Sequence, residues 1–517
     1  MIARKRLFAP VLLGVFLPVA ALTQSPLQLD VNGGSMPGTV SLDAHPGLFP
    51  FELIMIVPST TSGPTPVQLF DPTDNRTLSI GLDLLGSAWA TFADLQLNAN
   101  VQFSLGAQPS LIDMPLFFQA VTFQWLPSLL DRISNPNVIR LGSAGEFRDR
   151  GVSMFEQRAF GTALQRPDGK TLIVGGARGQ LLAQVATNTT EIYDPMDETI
   201  VYGPQMLMPR SLHTQTELSD GRFLIAGGVG IGNDPQADCE IYDPVADVFN
   251  VVTSMNVPRI GHTATLLADG RVFVSGGFEA LTVTPTQLSA IRDAVDSTEI
   301  FDPSTGIWTI DTPMGDPRAG HIALQRPDGK ILLCGGASWN PNFLFGWVPT
   351  VRSSCDLYDP ATGSMTSGPS MNTPRALLEP VEIDAGKWLV AGGMNGLSII
   401  PWNPGNPTAT AEIYDFATNS WTSVGSMATA RAYQKGWSIG NGLFMLAGGG
   451  NGSVTGPTPL PDTEIFDTST NTFSPGPMMS SGRAAAGIFH TPQGQVFLFG
   501  GAATTAMITT TTEWYYF

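Results

Sequence analysis

From about residue 160 onward the chain alternates short apolar runs with turn-forming residues, and the runs keep a fixed order. An apolar run ends in Gly-Gly seven times, with first members Gly175, Gly227, Gly276, Gly335, Gly392, Gly448 and Gly500, spaced 49 to 59 residues apart. After each pair and a variable loop comes a segment alternating acidic, apolar and aromatic residues. It reads EIYDP from Glu191, EIYDP from Glu240, EIFDP from Glu299, DLYDP from Asp356, EIYDF from Glu412, EIFDT from Glu464 and EWYYF from Glu513. Alternation over four or five residues predicts a half-buried strand. Before the Gly-Gly run stands a turn: PDGK at Pro167, SDGR at Ser219, ADGR at Ala268, PDGK at Pro327 and DAGK at Asp384. Asp-Gly between apolar runs predicts a tight hairpin, because the turn needs a positive φ that glycine supplies. A methionine precedes an arginine by four positions in every unit: Met154/Arg158, Met206/Arg210, Met255/Arg259, Met314/Arg318, Met371/Arg375, Met427/Arg431 and Met479/Arg483.

Each unit therefore predicts four antiparallel strands. Strand a follows the arginine, strand b ends in Gly-Gly, strand c carries the acid, and strand d carries an aromatic such as Phe249, Trp308, Trp421 or Phe473 before the methionine. Four strands in about fifty residues is the size of a propeller blade. The predicted fold is all-β: a seven-bladed β-propeller of four-stranded antiparallel blades over residues 145–517. The last unit reaches Phe517 just after its strand c, while 145–154 place Phe147 and Met154 where a strand d has them. The N-terminal piece is therefore expected to be the outer strand of the last blade, which closes the ring.

Residues 27–125 lack the repeat. Alternating or apolar runs at 38–42, 51–57, 67–70, 77–83, 88–92, 100–105 and 116–123, separated by Pro, Gly and Asn, predict a small β-sandwich. Residues 126–144, with Pro127 and Pro136, read as a linker that includes a short helix at 129–133. Residues 1–24 have the form of a cleaved signal peptide: Arg4, Lys5 and Arg6, then an apolar stretch broken by Pro10 and Pro18, then small residues at Ala20 and Ala21. The stretch is short for a membrane anchor, and no later run is long enough to span a bilayer. The expectation is a secreted, periplasmic or cell-surface protein.

The Gly-Gly pairs, the downstream Glu-x-Tyr-Asp, the late Trp or Phe and the Pro-Arg between units resemble the kelch-repeat family, of the galactose oxidase-like kind found in exported bacterial proteins. The resemblance covers residues 145–517. It implies a propeller that binds partners through its loops. It also implies an alternative, a carbohydrate-active enzyme such as a sugar oxidase or a sialic-acid mutarotase. Copper radical oxidases of this kind need a cysteine cross-linked to a tyrosine, a second tyrosine and two histidines. The five histidines of this chain offer no matching set.

Composition narrows the partners. A net charge of −18 disfavours phosphate backbones, so nucleic acid is not expected. The seven acids opening strand c and the seven arginines after strand d fall on one face of the ring, and their repetition predicts buried structural pairs: Arg158, Arg210, Arg259, Arg318, Arg375, Arg431 and Arg483 with Glu191, Glu240, Glu299, Asp356, Glu412, Glu464 and Glu513. His213, His262 and His321 each lie three residues after a repeat arginine, while the other units have Gly161, Leu378, Gln434 and Ala486 there. They read as hydrogen-bonded strand-a histidines rather than a metal cluster. The glycine pairs are expected to let the backbone pass beneath a neighbouring aromatic. Of the three cysteines, Cys334 and Cys355 sit on adjacent strands, as either a cross-strand disulfide or two buried thiols, and Cys239 has no evident partner.

No catalytic, cofactor-binding or metal-binding residue is expected, and no nucleophile motif such as G-x-S-x-G occurs. The candidate ligand face is the b–c loops of units three to five, with Trp339, Phe343, Phe345, Trp347 and Trp402. Those rings either stack on a glycan or anchor a protein partner, or else fold over one another and cap the blades. The expected function is an exported, non-catalytic propeller that binds a protein or a glycan through its b–c and d–a loops.

Overall fold

The computed structural model describes residues 142–516 except 181–182, 285–286, 343–345, 397–405, 454–455, 492–494 and 504–506; before them it describes 28–32, 35–36, 38–45, 53–60, 62–66, 77–80, 89–92, 99–105, 112–123, 130–133 and 137–140. Seven four-stranded antiparallel sheets follow one another along the chain. Blade 1 consists of strands a to d at Thr162–Gln165, Thr171–Val174, Thr190–Asp194 and Thr199–Tyr202. Blades 2 to 6 repeat that order over 214–252, 263–311, 322–368, 381–424 and 435–475. Strands a of blades 2 and 3, 3 and 4, 5 and 6, and 7 and 1 touch, so they line the axis.

Blade 7 takes three strands from Gly487–His490, Val496–Phe499 and Thr512–Tyr515, and its outer strand is Phe147–Arg148. Phe147 pairs with Tyr515 and Arg148 with Trp514. The ring is thus closed by a strand from the N-terminal side of the propeller.

The cores lie between blades. Leu172 and Val174 of blade 1 pack with Phe223, Ile225 and Tyr242 of blade 2, and Met206 completes that cluster. The same pattern recurs at the 7–1 junction, where Phe497, Phe499 and Trp514 meet Ile173, Tyr193 and Ile200 around Met154. Each repeat methionine is at most 4% exposed, which is why the sequence spaces it so regularly.

In the N-terminal part, Gln28–Asn32, Gly38–His45 and Ala99–Leu105 form one sheet. A second is built on Leu53–Ser59 and Pro115–Phe123. Leu29, Val31, Leu42 and Ala44 of the first pack on Ile54, Ile56, Phe118 and Ala120 of the second, which is a sandwich core. Residues 129–133, expected as a short helix, instead carry the strand Leu130–Ile133. This strand and Asn137–Arg140 both pair with Pro115–Phe123. The run expected at 67–70 lies outside the described residues.

The glycine pairs meet the expected neighbouring ring in three blades and a backbone carbonyl in all seven. Both members take positive φ, for example 56° and 100° at Gly175 and Gly176. A Cβ on Gly175 would lie 2.7 Å from the Arg210 carbonyl oxygen and 2.8 Å from the Met206 Cε. The obstacles are the backbone of the next blade's arginine and the repeat methionine, and in blades 1 to 3 also the imidazole ring of the next blade, with Cε1 of His213, His262 and His321 at 3.1, 2.8 and 2.9 Å. The second glycine donates its N–H to that same arginine carbonyl, at 2.7–2.9 Å in all seven blades.

Candidate functional site

Each arginine side chain is buried against its own blade. Arg158 Nη2 lies 2.9 Å from Glu191 Oε1, and its Nη1 donates to the Gly175 and Thr189 carbonyls at 2.7 and 2.9 Å. The other six make the equivalent pair, from Arg210–Glu240 at 2.9 Å through Arg259–Glu299, Arg318–Asp356, Arg375–Glu412 and Arg431–Glu464 to Arg483–Glu513 at 3.1 Å. The second carboxylate oxygen also works: Glu191 Oε2 accepts from the Phe155 amide at 2.8 Å, and Glu240 Oε2 from the Leu207 amide at 2.8 Å. Every charge in these pairs is covered and bonded, so none faces a ligand.

The next three residues of each unit build the axial mouth. The second residue after each arginine has left-handed backbone: Phe160, Leu212, Gly261, Gly320, Leu377, Tyr433 and Ala485, with φ between 54° and 64°. Only two are glycine, and bulky residues held at positive φ are strained. They are linked around the axis by backbone bonds from Phe160 N to Ala485 O, Leu212 N to Phe160 O, Gly320 N to Gly261 O, Leu377 N to Gly320 O, Tyr433 N to Leu377 O and Ala485 N to Tyr433 O, at 2.7–3.3 Å. Phe160 and Tyr433 meet edge to face with ring centroids 5.9 Å apart. The mouth encloses a cavity of about 310 Å³.

The third and fourth residues after each arginine form rungs between blades. His213 Nε2 meets Thr162 Oγ1 at 3.1 Å, His262 Nε2 meets Thr214 Oγ1 at 3.0 Å, and His321 Nε2 meets Thr263 Oγ1 at 3.2 Å. The Thr162 hydroxyl spends its proton on Gln215 Oε1, at 2.7 Å, so it accepts from an Nε2–H of His213. Burial, reinforced by the nearby repeat arginines, holds His213 and His262 down at about 3 and His321 well below its ordinary value, so all three are neutral. From blade 5 to blade 6 the rung is ionic: Lys435 Nζ lies 2.8 Å from Glu379 Oε1.

Copper does not fit this mouth. The histidines stand one per blade with Nε2 committed to threonine, Tyr433 is followed by Gln434, and no group of three or more His, Cys, Asp or Glu converges on a metal position among the described residues. Cys239 is buried in the core between blades 2 and 3, and Cys334 and Cys355 are joined to each other across strands b and c of blade 4.

Above the mouth stand extra hairpins between strands b and c. They belong to blade 1 (Ala177–Gln180 with Ala183–Ala186), blade 3 (Phe278–Thr284 with Gln287–Ala294), blade 4 (Ala337–Asn342 with Gly346–Val351) and blade 6 (Gly450–Ser453 with Gly456–Pro459). The backbone of Trp339 pairs with Pro349 and that of Trp347 with Pro341. Phe343, Phe345 and Trp402 lie outside the described residues. The sequence reading missed Glu379, Lys435 and the left-handed ring. The signal was present: with the units aligned on their arginines, the fourth position reads Thr, Thr, Thr, Ile, Glu, Lys, Gly, and only units five and six are charged there.

Comparison with known proteins bears on this architecture. The kelch motif family model matches residues 382–428, which run through blade 5. The findings support a kelch-repeat propeller. An F-box/kelch-repeat protein of Arabidopsis thaliana is 29% identical over 148 residues, 28% of this chain and 32% of that protein. A galactose oxidase of Gibberella zeae is 25% identical over 234 residues, 41% of this chain and 30% of that protein. The matched region thus spans about a third of the length of these relatives. Among solved structures, a fungal alcohol oxidase of the AA5 family in complex with copper superposes with a TM-score of 0.53 at 17% identity, covering 72% of this chain and 76% of that one. That likeness concerns the fold alone.

Proposed function

We propose that this kelch propeller is an exported, non-catalytic binding protein that presents its b–c and d–a loops to a protein or a glycan. The observation that carries this reading is the state of the mouth. Its histidines are neutral, buried and bonded to threonines, and the repeat arginines and acids neutralise one another inside the blades. Acid–base chemistry needs a titratable group free to act on substrate, and the two at the rim of the cavity, Glu379 and Lys435, are held in an ion pair with each other. Binding needs a shaped rim, and the hairpins of blades 1, 3, 4 and 6 supply one. The kinship with F-box/kelch-repeat proteins supports partner binding, and that with galactose oxidase supports the enzymatic alternative.

The test is a glycan array and a panel of surface proteins probed with the purified protein, run beside oxidation assays on sugars and alcohols with and without added copper. Binding without turnover is expected; metal-dependent turnover would overturn the reading. Export is tested by fractionating cells and sequencing the N-terminus of the mature chain, which is expected to start near residue 25.

A further inference from the structure

The mouth is not symmetric, and its asymmetry has a chemical direction. Three of the inter-blade rungs are neutral pairs of histidine and threonine, and the rung between Ile322 and Leu378 positions is apolar. The fold therefore does not require charge at this level. Only Glu379 and Lys435 bring it, and they lie side by side on the rim of the cavity. Their side chains are 52% and 22% exposed. An ion pair that wet contributes little, so exchanging one partner for a ligand group costs little. Beside the pair the wall is apolar, formed by Phe160, Leu377 and Tyr433. Gly261 and Gly320, on the two blades before Leu377, stand where other blades place Phe160, Leu212, Leu377, Tyr433 or Ala485. A Cβ on Gly320 would lie 2.6 Å from Leu377 Cδ2, whereas one on Gly261 would meet nothing nearer than 3.5 Å, so the open space is at Gly261.

We propose that the axial mouth binds a small zwitterion with an apolar body, the chemistry of a free aliphatic or aromatic α-amino acid. Its carboxylate replaces Glu379 on the Lys435 ammonium and its ammonium replaces Lys435 on the Glu379 carboxylate. Its side chain lies along Tyr433, Phe160 and Leu377 toward the space left by Gly261. Charge complementarity selects both ends of the head group at once, which neither a simple acid nor a simple amine satisfies. The size agrees. A cavity of about 310 Å³ is roughly twice the ~150 Å³ apolar cavity that takes benzene, which leaves room for one ring and its head group. The inference rests on reading this face as a binding face, and it adds a ligand distinct from the macromolecular partner of the loops.

The experiment is calorimetric titration of the full chain with phenylalanine and leucine, against 3-phenylpropionate (carboxylate only), phenethylamine (ammonium only) and glycine (no body). Saturable binding of phenylalanine or leucine is expected, at least tenfold tighter than any of the three controls. Glu379→Gln is expected to bring phenylalanine down to the affinity of 3-phenylpropionate, and Lys435→Gln down to that of phenethylamine. Gly261→Asn, which tolerates positive φ and fills the open side, is expected to abolish binding with the near-ultraviolet circular dichroism unchanged. No saturation at millimolar phenylalanine and leucine overturns the proposal. So does equal affinity for the one-charge analogues, which is read on the unmodified protein and needs no variant to fold. None of these outcomes touches the partner screen on the loops, so the two readings fail separately.

Discussion

The Gly501 amide donates to the Arg158 carbonyl at 2.7 Å, and this bond joins the last blade to the first. It is the seventh copy of a link made at every other junction, so the ring closes with the same chemistry with which it propagates. A Cβ on Gly500 would lie 2.0 Å from that carbonyl, closer than at any other pair. Gly500→Ala is expected to cost about 3 kcal/mol or more of unfolding free energy in urea. Gly145→Ala is the control: it has positive φ but nothing within 4 Å, and is expected to lose only about 1–2 kcal/mol. Equal losses would mean that the close approach at the closure does not matter.

The fourth blade breaks the acid pattern. Its Asp356 reaches Arg318 at 2.7 Å, but it is one methylene shorter than the glutamates that also hold the loop amides. Asp356→Glu is expected to restore that second contact and raise stability by up to about 1 kcal/mol. Removing one partner of a complete pair, as in Glu240→Gln or Arg210→Met, is expected to cost about 3–5 kcal/mol, because the other charge is left buried. Chemical denaturation of the three variants checks both directions.

The mouth histidines make stability depend on pH. Their folded values lie below the ordinary 6.5, so the unfolded chain takes up protons before the folded one does. Their contribution is complete above pH 6.5 and falls as pH drops from there toward about 3. Each histidine contributes a slope of at most about 1.4 kcal/mol per pH unit. Urea midpoints between pH 7 and pH 4.5, a window mostly above the carboxylate range, are expected to fall steadily in the native protein. They are expected to fall less in His262→Gln, and a parallel decline would exclude this origin.

The disulfide makes a countable prediction. Cys334 and Cys355 are bonded over a sequence separation of 21, and Cys239 is free and buried. Thiol titration in denaturant is expected to find one thiol before reduction and three after. Reduction is expected to cost about 3 kcal/mol, the entropy of a closed loop of that length, and to release the base of the blade 4 hairpin.

Much of this architecture was legible because the repeat states it seven times. Seven Met-to-Arg spacings located the blades, the closing strand at Phe147 and the buried arginine pairs. What the repeat hides is what each blade does differently. Nothing in the sequence singles out Tyr433 or Leu377, because positive φ at a non-glycine leaves no mark there. Leu130–Ile133 read as helix because two prolines nearby suggested a linker, whereas its conformation is set by pairing with Pro115–Phe123. The cause of the glycine pairs was legible only in part, as a neighbouring ring, because a carbonyl from the next blade is invisible until the blades are stacked.

The pairing of Phe147 with Tyr515 also sets a clock on synthesis. The outer strand of the last blade is among the first parts of the propeller to leave the ribosome, and its partner is among the last. At about 5–20 residues per second, the roughly 370 residues between them take on the order of 20–70 s to make. For that interval the early strand must stay unpaired while six blades assemble behind it. A two-residue strand, one of them an arginine, offers little edge for a wrong partner to seize. The shortness of the closing strand is thus a safeguard during birth as well as a seal afterwards.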